Sequence, residues 1–181
     1  MLSWFVLAPV LTAVFLYIFP FKKAGRAIAI IVQMAMIASA FYLFFLCKEG
    51  DIYTNVRNFS GVLGITLKAD TLSSVLIILT SCIFLIANFY IFHEDVSRLF
   101  WFLLLLWEGL LIGIFLSRDF FNLFVLIEVA TVVVAILIMF NRDNRSMYDG
   151  MVYLMVNTVA IQFYLFGAGY IYKLTGSLDL E

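Results

Sequence analysis

The chain has 181 residues, 65% of them apolar and 13% charged, with a formal net charge of −1 and a mean hydropathy of +1.11. Soluble domains carry about 25% charged residues, so this composition excludes a water-facing globule and suits a lipid-facing surface, and the balanced charge argues against nucleic acid as a partner. The two cysteines, Cys47 and Cys82, lie in or beside apolar runs and read as free thiols rather than a disulfide framework.

A helix rises about 1.5 Å per residue, so roughly 20 apolar residues cross a hydrocarbon core of about 30 Å. Six stretches approach that length: 2–19, 27–47, 71–92, 99–116, 120–140 and 151–172. The expectation is an all-α membrane protein, a single transmembrane domain over residues 1–181 with about six spanning helices. Before the first stretch there is no cation, whereas a secretory signal needs a basic n-region; this segment is therefore expected to be retained. After it come Lys22, Lys23 and Arg26. By the positive-inside rule these place the first turn inside and the N-terminus outside, although later loops divide Lys and Arg almost evenly. Both termini are then outside. The long connection at 48–70 contains Gly50, Gly61 and Gly64 and alternates around Val62–Leu67, which predicts some extended backbone in an outer loop.

The third stretch ends at His93-Glu94-Asp95. Consecutive residues rarely converge on one ion, so this reads as a solvated loop with a role in proton access rather than a metal site. Within the fourth and fifth stretches stand two acidic residues, Glu108 and Glu128, each in a run otherwise apolar on every face. An ionised carboxylate at mid-bilayer costs about 3 kcal/mol on insertion scales, so such residues are functional candidates by default. Each lies ten residues from Arg118, Glu108 before it and Glu128 after. A tight turn at Ser117–Asp119 then sets both at one depth, about 15 Å from the turn. Depth follows from this count; rotation about each helix axis does not. Should the two face each other, a shared proton would relieve their repulsion. The bland reading of either glutamate is a protonated group hydrogen-bonded to a neighbouring helix.

Gly109 and Gly113 form a small-xxx-small pair beside Glu108, read first as close helix packing. Other polar residues inside the runs are Gln33, Ser39, Asn88, Thr131, Asn157, Thr158 and Gln162. Of these, Thr131, Asn157 and Gln162, with His93, are candidates for a polar path, and inter-helix hydrogen bonds are the commoner use of such groups. The sequence has no glycine-rich phosphate loop, no cysteine pair at metal spacing and no Ser-His-Asp set. One histidine excludes haem ligation by two histidines of this chain. No cofactor and no metal are expected.

Ser117-Arg-Asp-Phe-Phe-Asn-Leu-Phe-Val-Leu-Ile-Glu128 resembles a motif of the antiporter-like subunits shared by respiratory complex I, Mrp-type Na+/H+ antiporters and membrane-bound group 4 hydrogenases. There it reads approximately Asp-Leu-Phe-Asn-Leu-Phe-Val-Phe-Phe-Glu. Gly64-Ile-Thr-Leu-Lys-Ala-Asp-Thr-Leu-Ser-Ser74 resembles the start of the family's third helix. Tyr153-Leu-Met-Val-Asn-Thr158, with Gly167 and Thr175-Gly-Ser-Leu178, resembles its sixth. The chain resembles in particular the D-type subunit of the Mrp and hydrogenase branch. Ala160-Ile161-Gln162 departs from the family pattern, which often has small residues there.

The resemblance implies that Glu128 belongs to an ion-translocation path, with Glu108 tuning it. The family pairs this glutamate with a lysine on a later helix, and these six stretches have no mid-helix Lys or Arg to play that part. The resemblance therefore implies the N-terminal portion of a split subunit, with the lysine on a partner chain. It further implies a multi-subunit complex in a prokaryotic plasma membrane that moves H+, with or without Na+. The rival expectations are a non-conducting structural subunit of the same kind of complex and an independent homo-oligomeric transporter.

Overall fold

A computed structural model describes residues 2–19, 22–56, 65–91 and 96–178. Six helices make up most of it: α1 (Leu2–Ile18), α2 (Lys22–Cys47), α3 (Thr71–Ile91), α4 (Arg98–Leu116), α5 (Phe120–Ile138) and α6 (Asn144–Thr175). Five of them, α2 to α6, are long and apolar enough to cross a membrane; α1 is a shorter apolar helix of 17 residues, about 26 Å in length. The protein is an all-α membrane protein, with one hairpin of two short strands among the described residues, β1 (Ile52–Val56) and β2 (Ile65–Ala69).

α4 lies at the centre, packed against α1, α3 and α5, while α2 lies on α3 and α6 on α5. Close approach to α1 follows from glycine. A Cβ on Gly109 would stand 2.7 Å from Val10 Cγ2 and 3.2 Å from the Val6 carbonyl oxygen, so the missing side chain is what admits α1 there. Leu103 and Leu110 of α4 meet Ala130 and Val133 of α5 in one apolar cluster. A second cluster joins Leu2, Met36, Ala40, Leu43, Ile77, Ile112 and Leu116.

The hairpin closes over this second cluster. Its strands are antiparallel, with Ile52 opposite Ala69 and Thr54 opposite Leu67. Alternation sends Leu67 and Ala69 into the cluster, while Lys68 turns outward to Asp51 at 2.7 Å and lies over the Tyr53 ring. The Asp51 carboxylate raises the Lys68 ammonium above its ordinary pKa. The extended backbone expected around Val62–Leu67 is present in β2, and Val62 to Gly64 lie outside the described residues.

Two helices begin well before their apolar runs. α2 starts at Lys22 and α6 at Asn144, because a helix starts where its first amides find acceptors and not where hydropathy rises. For α6 the acceptor is Asp143. Its carboxylate takes the Ser146 N–H at 3.2 Å and the Ser146 hydroxyl at 2.6 Å. At the other end Gly176, at φ 71°, closes the helix in the left-handed region.

Candidate functional site

The turn between α4 and α5 is held from three directions. Asp119 caps α5, its Oδ1 accepting the N–H of Phe121 at 2.6 Å and of Asn122 at 3.3 Å. Asn122 Nδ2 donates to Ser117 Oγ at 2.8 Å. The Arg118 N–H donates to the Thr66 carbonyl of β2 at 3.3 Å, and Leu67 bridges to Ser117. Asp119 and Asn122 thus have a local structural use: they set the start, and hence the height, of the helix that carries Glu128.

Glu108 is fully buried. Its Oε1 accepts a hydrogen bond of 2.5 Å from Gln33 Nε2 on α2. The same nitrogen donates to the Ser81 carbonyl of α3 at 3.1 Å, and Gln33 Oε1 accepts from Asn88 Nδ2 at 3.4 Å. Gln33, Ser81 and Asn88 are themselves at most 1% exposed. One amide therefore ties together three helices around a carboxyl. Glu128 is half-buried. It neighbours the exposed stripe of α5 formed by Phe121, Val125, Val129, Val132 and Ile136, and its Oε2 is enclosed with no hydrogen-bond partner among the described residues. Glu108 bonds to α2, toward the core, and Glu128 stands at the margin of an outward face.

The remaining candidates are scattered. The Thr131 hydroxyl donates to Ile127 O at 2.9 Å and Asn157 Nδ2 to Tyr153 O at 2.8 Å, each on its own helix. Gln162 is exposed and lines an outward groove with Leu165, Phe166, Gly169, Tyr170 and Lys173. His93 lies outside the described residues. Gly109 faces α1, and Gly113 lies between Leu126 and Val6. Sequence reasoning noted Gln33 and Asn88 only as polar residues within apolar runs. The available signal was the spacing of Ser81 and Asn88, two turns apart on one face of α3.

Residues 117–181 match the family model described as NADH:quinone oxidoreductase/Mrp antiporter, TM. The D-type polypeptide of the Na+/H+ antiporter of Alkalihalophilus pseudofirmus is 28% identical over 97% of this chain and 37% of its own length. The N-type polypeptide of the NADH-quinone oxidoreductase of Desulforudis audaxviator is 36% identical over 65% of this chain and 24% of its own. The chain is thus similar to antiporter-like membrane subunits along most of its length, and to the family model over residues 117–181. It spans just over a third of the length of the Alkalihalophilus relative. The fold recurs in the Mrp complex of a Dietzia species, at a TM-score of 0.84 and 22% identity over 98% of this chain and 35% of that one. It recurs again in an archaeal membrane-bound sulfane sulfur reductase, at 0.84 and 21% over 98% and 38%.

Proposed function

We propose that this chain forms part of the ion path of an antiporter-like subunit in a multi-subunit cation/proton-translocating complex of a prokaryotic plasma membrane, with Glu128 on the proton path. One observation carries the reading. Glu128 is an acidic residue at mid-span, with one oxygen enclosed and unpartnered, at the edge of an outward face and within the region that matches the family model.

An ionised glutamate at this depth needs a cation. The spans of α1 to α6 carry none at that level, so the basic partner, a lysine, comes from outside these 181 residues. Protonation of Glu128 dissolves that ion pair and ionisation restores it, which links proton occupancy to the position of the cationic helix. Glu108 stands ten residues from the same turn but bonds to Gln33, so it acts on Glu128 through α4 and α5 packing rather than through a shared proton.

The test is flux. In vesicles containing the complete complex, Glu128→Gln keeps the size of the side chain and removes its charge. Ion flux is expected to fall to background with every subunit present. Normal flux in a fully assembled variant overturns the proposal; loss of subunits points instead to a non-conducting structural subunit.

A further inference from the structure

On α3 and α4, four enclosed polar atoms with no hydrogen-bond partner among the described residues share one seam: Ser81 Oγ and Asn88 Oδ1 on α3, and Trp101 Nε1 and Glu108 Oε2 on α4. All four residues are buried. Their spacing is regular. Seven residues separate Ser81 from Asn88, and seven separate Trp101 from Glu108, which is two turns on one face of each helix. α3 and α4 run antiparallel and pack together. Asn88 is three residues before the end of α3 at Ile91, and Trp101 three after the start of α4 at Arg98. Ser81 is ten before that end and Glu108 ten after that start. The backbones thus meet at two levels, about 10 Å apart: Ser81 with Glu108 at mid-span, and Asn88 with Trp101 about one turn from the end, and the side chains narrow that gap, since one amide reaches both levels. Gln33 closes the side, touching the Ser81 carbonyl, Glu108 and Asn88.

Buried polar groups are satisfied by protein or by ordered water, and a buried water typically makes about three hydrogen bonds. The chemistry here fits water. At the inner level a water accepts from Glu108 Oε2 in the acid and donates to it in the carboxylate, and exchanges a hydrogen bond with the Ser81 hydroxyl. At the outer level another donates to Asn88 Oδ1 and accepts from the Trp101 indole N–H. Lys22, Lys23 and Arg26 lie in the first two turns of α2, and Arg98 begins α4; apart from these, α1 to α5 hold no Lys, Arg or His, and the one other carboxyl in these helices is Glu128.

We propose that α2, α3 and α4 enclose a hydrated seam, a short file of water molecules held by Ser81, Asn88, Trp101 and Glu108, through which Glu108 exchanges protons with the membrane surface at which α3 ends. A proton released from the Glu108 acid passes to the inner water, which becomes hydronium and hands one on to the outer water; return runs the same way. This seam lies on the far side of α4 from the Glu128 face, and it stands whether or not Glu128 conducts.

Infrared difference spectroscopy of the complete complex in membranes tests this. The carboxyl band of Glu108 is identified by its loss in Glu108→Gln. In the wild type that band is expected to shift promptly on transfer to D2O, and water bands sensitive to H2(18)O are expected to vanish in Ser81→Ala and in Trp101→Phe. Exchange at Glu108 is expected to slow in Trp101→Phe, two turns away, which packing alone would not produce. A Glu108 band that ignores D2O, or water bands unchanged in both variants, overturns the proposal. So does a seam whose bands follow Na+ at fixed pH, which would make its guest a cation. Should Trp101→Phe fail to assemble, Ser81→Ala, which removes a single atom, decides alone.

Discussion

The carboxylates of this chain do different work according to what surrounds them. Asp70, Asp119 and Asp143 stand just outside helices and accept backbone N–H groups that would otherwise go unpaired. For Asp70 the acceptor is Oδ1, 2.7 Å from the Ser73 amide. That bond holds the carboxyl below its usual range, against a smaller opposing effect of burial. The sign follows. The folded state favours the carboxylate more than the unfolded chain does, so the cap contributes fully above the ordinary carboxylate pKa of about 3.9. Its contribution is lost as pH falls through the lowered native value. Asp70→Ala is expected to cost about 1 kcal/mol at neutral pH. The amide of Ser73 should exchange faster in the variant at neutral pH, and wild type and variant should converge on acidification. Hydrogen exchange at that amide checks both. Glu108 and Glu128 differ in kind, since no cap explains them: one is held by a side-chain amide, and the other stands half-buried beside an outward face with an enclosed oxygen that has no hydrogen-bond partner among the described residues.

Between helices, the two glycines of α4 make different demands. A methyl group on Gly109 would press on Val10, a β-branched side chain with little freedom, and on the Val6 carbonyl oxygen at 3.2 Å. On Gly113 it would meet Leu126 and Val6 at 3.4 and 3.5 Å, ordinary contact. Replacing Gly by Ala in a helix gains about 1 kcal/mol from propensity, whereas overpacking costs about 1–3 kcal/mol. Gly109→Ala is therefore expected to lower the thermal stability of the assembled protein and Gly113→Ala to leave it level or raise it. Equal behaviour of the two would mean that α1 does not rest on Gly109. The pair was visible in the sequence as small-xxx-small, but the spacing could not tell which glycine carries the close approach. The same division runs through the fold. Membrane helices were legible because lipid demands long apolar runs, and the depth of Glu108 was legible because helical rise is constant. The direction of Glu108 was not, because Gln33, 75 residues away in sequence, reaches it only through the packing of α2 on α3 and α3 on α4. The early start of α6 was hidden for a related reason: Asp143 sets it, in a polar stretch where hydropathy is silent.

On the scale of the whole molecule, burial is uneven. α4 is enclosed by its neighbours, whereas α6 is largely exposed. An exposed helix in lipid should be apolar all round, yet α6 turns the Gln162 amide outward near its middle, where hydrocarbon offers no hydrogen bond. One and two turns further along the same face are Phe166 and Gly169, and nothing lies within 4 Å of where a Cβ on Gly169 would be. Polar and small residues on one outward face are what helix association in membranes uses. The occupant expected on this groove is a helix of another part of the complex, carrying a hydrogen-bond partner for Gln162. A photoreactive side chain at Phe166, 77% exposed in this chain, should form protein adducts in the intact complex, and the same group at Trp4, 66% exposed on α1, provides the comparison. Gln162→Leu should then weaken retention of the cross-linked partner without unfolding α6, whose packing on α5 does not involve that amide. Adducts with lipid alone at Phe166 would mean that Gln162 faces the bilayer unpaired, and that the assembly surface lies elsewhere, with the Glu128 margin of α5 the next place to look.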